Sequence, residues 1–380
     1  MEYYNHGLCS AATSVIGISV ILFTSDKSII DQKLKLTYKI NKIFKNIYCE
    51  QNIAIRGTRF LFQLIRAYQV CKKEEVNIIH MYIFHFSFFE KLQASIGKLF
   101  GFKIVATIHD IDSFDSTHIY NKKDSFIPFL DAIIFHNNFS KSLLLNKNPK
   151  FTKLNVAIVP PFDRDVTINA KNKIIKPNNV FNFYQKNRKY ILFFGQIKED
   201  KGVDLLIKAF IKLCNRIDNV DLIIAGKVWK TDFNKYQKLI DESEYKMRFI
   251  LKLEFIEDEI VPLLFNISDV VVLPYKVIYN SSVIFRAMDY NSIILVSDLE
   301  PLTDIIEDGQ NGYIFKSNDI KSLENRLRHV LSISHIQKHS ILQNMKETLN
   351  NKFSIEATAI PLNIVYDNVN NVDSTVINKE

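Results

Sequence analysis

At 380 residues the chain is longer than the roughly 250–300 at which a single hydrophobic core usually splits, so two domains are expected. Hydrophobic residues at 47% and charged residues at 24% exclude a disordered or fibrous protein. The four cysteines (Cys9, Cys49, Cys71, Cys214) lie far apart in no paired metal-ligand or redox motif, which fits a reducing compartment, and the net charge of +8 points to where partners should be sought.

From Tyr3 to Ser25 there is no Lys, Arg, Asp or Glu. Glu2 and the lack of a basic leading segment argue against a signal peptide. Ser10, Thr13, Ser14 and Gly17 dilute the apolar run below the about 20 residues that a membrane span needs. The stretch reads instead as a helix over Tyr3–Ser14 and a buried strand over Ile18–Thr24. Next, eleven Lys/Arg between Lys27 and Lys73 are opposed only by Asp31 and Glu50, so this segment carries +9. Such a patch suits an anionic membrane surface, at about 1 kcal/mol per cation near the headgroups. A solvated helix face is the plainer alternative. No nucleic-acid module accompanies the charge.

The first half continues with strands at Val76–Tyr82, Lys103–His109, Ala132–His136 and Val156–Pro160. Helices at Arg56–Lys73, Phe88–Phe100 and Phe139–Leu145 alternate with them. Short β-rich runs separated by helices mean a parallel sheet covered on both faces. Residues 1–169 are expected to form the first domain, and the Asn/Lys/Pro-rich stretch within 170–183 a linker. The second domain, 184–350, restarts the pattern at Tyr190–Phe194, Asp221–Ala225, Arg248–Leu253, Val270–Leu273, Ile293–Ser297 and Gly312–Phe315. Val203, Leu206, Ile207, Phe210 and Leu213 repeat at helical spacing, a core-facing stripe. Helices at Ser317–Ser332 and over 351–366 and a polar tail over 367–380 complete the reading. Two such α/β halves imply a cleft, with ligands beyond the carboxyl ends of the strands.

Three segments carry the chemistry. Gly195-Gln196-Ile197-Lys198-Glu199-Asp200-Lys201-Gly202 follows a strand and opens a helix. Gly195 lets the backbone approach a ligand, and Lys198 and Lys201 can meet phosphate oxygens. Leu273-Pro274-Tyr275 is followed by Asn280-Ser281-Ser282 at a helix start, where free N–H groups and the helix dipole favour an anion. Ser281 or Ser282 reads equally well as a plain N-cap. Third come Ser297-Asp298-Leu299-Glu300-Pro301 and Glu307-Asp308-Gly309, with carboxylates expected near the site.

In this order and spacing the three segments resemble the donor domain of the retaining GT-B glycosyltransferases of family 4. Looser similarity runs through Ile78-Ile79-His80, Thr107-Ile108-His109-Asp110 and Phe135-His136-Asn137. The resemblance implies two Rossmann-like domains facing each other across a cleft, and transfer of a sugar from a nucleotide-diphosphate sugar to a saccharide or lipid-linked acceptor. The site it implies comprises Gly195, Lys198, Lys201, Asn280, Ser281, Ser282, Arg286 and Glu300 for the donor, with His109 as the catalytic-side residue near the transferred sugar. It also implies no cofactor and no metal, cell-surface polysaccharide or glycolipid synthesis, and a cytoplasmic protein peripheral to the membrane.

Departures from that pattern are visible. Gln196 stands where the family usually has arginine. Ile278 and Arg286 stand where many members have two glutamates. The chain also opens inside the first helix, so the central first strand of the N-domain sheet is expected to be missing. These departures motivate the alternative of a catalytically inactive nucleotide- or glycan-binding member. The tripeptide Asp110-Ile111-Asp112 matches a metal motif of another glycosyltransferase fold, and His80, His85, His109 and His118 form no recognised zinc spacing. A dinucleotide oxidoreductase is disfavoured by the lack of Gly-x-Gly-x-x-Gly.

Overall fold

Residues 2–28, 36–47, 52–84, 86–111, 123–162 and 181–371 are described by the structure, a computed structural model. The chain divides into two compact units, one formed by Met1–Thr167 with Lys352–Glu380 and the other by Ile168–Asn351. The C-terminal helix, expected as a separate segment over 351–366, thus returns to the first unit. Most of the expected linker (170–180), the last part of the tail, Cys49, His85, Asp112 and His118 lie outside the described residues.

The first unit begins with helix α1 (Glu2–Ser10), which widens into a π-helical stretch over Ala11–Ile16 and stops at Gly17. Its strands are β1 (Ile21–Ser25), β2 (Lys39–Phe44), β3 (Ile78–Ile83), β4 (Lys103–Ile108), β5 (Ala132–Phe135) and β6 (Asn155–Ile158). They fall into two separate parallel sheets, β1–β2 and β3–β4–β5–β6. The helices between them are α2 (Ile53–Lys73), α3 (Phe88–Leu99) and α4 (Asn138–Lys147). Each starts at a side-chain cap. Asn52 accepts from Ala54 and Ile55, Ser87 and Glu90 form a reciprocal capping box, and Asn137 accepts from Ser140. Strand β2, unassigned in the sequence reading, pairs with β1 in parallel and ties Lys39 to Glu74 by a 2.7 Å ion pair.

Helix α1 packs with β4, β5 and the C-terminal helix in one core. Leu8, Ala11, Ala12, Val105, Ile134, Ala359, Leu362, Val365 and Val369 are buried there together. The last helix runs to Asn371 and buries Val369, so residues 367–371 are helical where fraying was expected.

In the second unit β7 (Lys189–Phe194), β8 (Val220–Ala225), β9 (Phe249–Lys252), β10 (Val270–Leu273), β11 (Ile294–Ser297) and β12 (Tyr313–Phe315) form one all-parallel sheet. The order is β12–β11–β10–β7–β8–β9. Ile191, Leu192, Leu222, Ile223, Val271 and Leu295 are fully buried, as a sheet covered on both faces requires. Helices α5 (Val203–Cys214), α6 (Asn234–Asp241), α7 (Val261–Ile267), α8 (Ser282–Asp289), α9 (Glu300–Thr303), α10 (Ile320–Val330) and α11 (His335–Lys352) follow in chain order, before α12 (Ile355–Asn371). The anticipated stripe Val203, Leu206, Ile207, Phe210 and Leu213 is fully buried on α5. No helix among the described residues is long and apolar enough to cross a membrane.

Candidate functional site

The order of the second sheet locates a site before any side chain is considered. From β7 the chain steps outward through β8 and β9, then crosses to the other side of β7 for β10, β11 and β12. The direction reverses between β7 and β10, and a doubly wound sheet leaves its crevice beyond the carboxyl ends of such a strand pair. Those ends carry Gly195 and Pro274-Tyr275.

The two loops interlock there. Gly202 has φ +66°, and a Cβ on it would lie 1.8 Å from the Pro274 carbonyl oxygen. Only glycine fits this approach. The Lys276 amide donates to the Asp200 carbonyl at 2.8 Å, and the Lys276 ammonium pairs with Asp204 at 2.8 Å. Held by these contacts, Lys201 Nζ sits 3.9 Å from the centroid of the Tyr275 ring. The Tyr275 hydroxyl in turn lies 3.3 Å from Ser281 Oγ at the start of α8. Burial pushes the Tyr275 phenol up to about 12, so it stays a neutral hydrogen-bonding group.

Ser281 is the N-cap of α8 by backbone position, yet its side chain makes no capping bond. Its own amide donates to Asn280 Oδ1 at 2.9 Å. The positive end of α8 is thus left without the usual side-chain oxygen, beside the Lys201 ammonium. A Cβ on Gly195 would be 3.6 Å from Val283, which places the β7 loop against the first turn of the same helix. The sequence-predicted Gly195, Lys201, Asn280, Ser281 and Ser282 therefore converge on one cradle, where a helix start and an ammonium both present positive charge. Arg286 follows Ser282 by four residues on α8, on the same side of the helix. Lys198, half-buried, immediately precedes the short 3-10 turn Glu199–Lys201.

Glu300 lies on a different element. It is the first residue of α9, beyond β11, with an exposed side chain. The nearby carboxylates expected at the site have structural partners instead. Asp298 accepts from the Ser317 amide at 2.7 Å, and Asp308 accepts from the Ile314 amide and pairs with Arg326. Tyr275 and Lys276 are the residues sequence reading left without a role. Their signal was the strand-end position itself.

The first unit carries a second group of polar side chains at the carboxyl ends of β3, β4 and β5. His109 follows β4, and its amide donates to the Ile83 carbonyl at 2.9 Å. Its ring stacks on Phe84 at 4.8 Å and meets Tyr4, Tyr82 and His136 at 5.2, 5.4 and 5.0 Å between centroids. His136 is buried, and its Nδ1 donates to the Val159 carbonyl at 3.1 Å, which leaves Nε2 as an acceptor. Among the described residues neither His109 Nε2 nor His136 Nε2 has a hydrogen-bond partner. Burial, reinforced by the neighbouring His136, holds His109 down at about 2, and burial holds His136 at about 4. Both rings are neutral near pH 7; His136 offers the Nε2 lone pair, whereas His109 carries one N–H donor and one lone pair. His136 entered the sequence reading only as part of Phe135-His136-Asn137, with no role. Among the described residues no group of three or more His, Cys, Asp or Glu is placed to hold a metal ion.

Residues 176–348 match the family described as glycosyl transferases group 1. The uncharacterized glycosyltransferase MJ1607 of Methanocaldococcus jannaschii is 26% identical over 199 residues, 52% of this chain and 48% of that protein. The capsular polysaccharide biosynthesis glycosyltransferase CapM of Staphylococcus aureus is 22% identical over 179 residues, 46% of this chain and 45% of that protein. The matched segment thus spans about half the length of these relatives. Among solved structures, Anabaena Alr3699/HepE in complex with UDP superposes with a TM-score of 0.68 at 13% identity, over 96% of both chains.

Proposed function

We propose that this chain, a GT-B protein whose residues 176–348 form a glycosyl transferases group 1 domain, transfers a hexose from a nucleotide-diphosphate sugar to a saccharide or lipid-linked acceptor in surface polysaccharide synthesis. The observation that carries the proposal is the Lys201–Tyr275–Ser281 cradle at the β7/β10 reversal. The UDP bound in the Anabaena relative and the capsular role named for CapM support the donor and acceptor classes.

In the reaction the bond between the anomeric carbon and the diphosphate oxygen breaks, and the acceptor oxygen forms the new glycosidic bond. The acceptor proton leaves with the diphosphate. Negative charge grows on that leaving group, so Lys201, Lys198 and the start of α8 stabilise the transition state more than the ground state. Retention of anomeric configuration and independence of metal belong to the same reading. His109, neutral, serves as a hydrogen-bonding partner of the transferred sugar. The decisive test measures nucleoside diphosphate release from UDP-, GDP- and ADP-hexoses, with and without EDTA, in a preparation that binds the nucleotide. Release that survives EDTA is expected. Tight binding with no release from any donor would favour the non-catalytic reading, which the Arg286 and Ile278 positions motivate.

The same proposal places the protein at the cytoplasmic face of the membrane through its basic segment. On α2, Arg56, Arg66, Lys72 and Lys73 are exposed, and Ile55 and Phe62 stand out at 47% and 76% exposure. Cations beside protruding apolar side chains suit an anionic lipid surface. Replacing these four cations with glutamine is expected to weaken sedimentation with phosphatidylglycerol vesicles by roughly a thousandfold. Unchanged sedimentation would remove the membrane from the proposal.

A further inference from the structure

Beyond the cradle, the β7 loop is joined to the loop that follows β8. The Ile197 amide donates to the Lys227 carbonyl at 2.9 Å and the Trp229 amide to the Ile197 carbonyl at 3.1 Å, so Ile197 and Val228 form a parallel bridge. The two chains are in close contact one step earlier as well. Gly226 has φ +141°, and a Cβ there would lie 1.9 Å from the Gly195 oxygen.

Side chains alternate along such a ribbon. Ile197 is fully buried, so Gln196 and Lys198 lie on the opposite face. Val228 shares the inward side with its bridge partner, which puts Lys227 and Trp229 on the outer face with Gln196 and Lys198. Gln196 and Lys227 are exposed, and Trp229 is 40% exposed. Lys227 Nζ sits 6.0 Å from the Trp229 ring centroid. A cationic ribbon that begins at the Gly195 end of the cradle therefore ends on an open indole.

We infer that this ribbon holds the nucleoside half of the donor, with the base stacked on Trp229 and Lys227 and Lys198 beside the diphosphate. The inference rests on the donor reading above and names the residue that holds the base. Every base has a π-face, so stacking supplies affinity with little selection among bases. Trp229 follows the bridge residue Val228 and precedes Lys230, whose φ is +51°.

Trp229 is the only tryptophan of the chain, so intrinsic tryptophan fluorescence reports this ring alone. UDP, GDP and ADP are expected to quench it saturably, whereas inorganic pyrophosphate and free glucose leave it unchanged. In calorimetric titrations Trp229→Ala is expected to weaken UDP about tenfold, with pyrophosphate affinity unchanged. Trp229→Phe is expected to retain most of the affinity, which separates lost stacking from a disturbed loop. Calorimetric binding of UDP to the wild type with no quenching and no loss in Trp229→Ala would overturn the inference while leaving the donor reading intact. Quenching by glucose alone would overturn it in favour of a glycan platform. No heat from any nucleoside diphosphate would overturn the donor reading and this inference with it.

Discussion

Lys201→Ala is expected to weaken calorimetric binding of UDP by about 30-fold, because it removes a charge-assisted hydrogen bond to a phosphate oxygen. The residue is held in place by its own loop. Gly202 is locked against Pro274, Lys276 ties the β10 loop to Asp200 and Asp204, and the ammonium rests over the Tyr275 ring. Such preorganisation means that little side-chain entropy is lost when the anion arrives. Truncation to alanine also removes the lysine stem from the ring, so Lys201→Met serves as the partner variant. It keeps aliphatic cover over Tyr275 and is expected to show the same loss, which assigns the effect to charge. Thermal midpoints of both variants without ligand are expected to stay near that of the wild type, since the ammonium–ring contact is worth only about 0.5–1 kcal/mol at a partly exposed site. Unchanged affinity in both variants would remove the cradle from the donor site.

The cradle was readable in the sequence because its parts are local. A strand, a glycine turn and a lysine lie within thirteen residues, and Asn280-Ser281-Ser282 opens a helix by composition alone. The partnership between Lys201 and Tyr275 was not readable, since it arises from the reversal between β7 and β10, and strand order is a long-range property. The same limit hid Trp229. Nothing in Lys227-Val228-Trp229 marks a site until the bridge to Ile197 places it beside the glycine loop.

Elsewhere the failures follow charge and narrow stripes. Strand β2 reads Lys-Ile-Asn-Lys-Ile-Phe, and its lysines merged it into the basic segment although it pairs with β1. Helix α11 buries only Ile341, Met345 and Leu349, one residue per turn, a stripe too thin to stand out from a polar background. Helix α5 buries eight residues, the five of the anticipated stripe among them, and was read correctly because a wide stripe is the signal that periodicity detects. The return of α12 to the first unit depended on Ala359, Leu362 and Val365 meeting Leu8 and Ala11. No local pattern announces a partner more than three hundred residues away.

Burial of the histidine cluster in the first unit is expected to make stability strongly dependent on pH. Burial holds His80 down at about 3, His136 at about 4 and His109 at about 2, all below the ordinary 6.5. His80 is further fixed between two hydroxyls, Tyr366 at 2.7 Å and Thr107 at 2.8 Å, an arrangement suited to a neutral imidazole. The unfolded chain takes up protons on these rings as pH drops through 6.5, while the folded chain does not. Their contribution is therefore complete above pH 6.5 and is lost as pH falls toward the folded values. Three such groups together lower stability by roughly 4 kcal/mol per pH unit across the window from about pH 6 to about pH 4. Against a usual stability of about 5–15 kcal/mol, that loss is expected to unfold the chain near pH 4. Thermal scans by circular dichroism at successive pH values test the slope. His109→Gln, which cannot take up a proton in this range, is expected to reduce it by about a third. A melting temperature constant from pH 7 to pH 5 would mean that the rings take up protons in the folded protein as readily as in the unfolded chain. His109 would then become a cation below about pH 6.5, and its assigned part as a neutral hydrogen-bonding partner would be confined to higher pH.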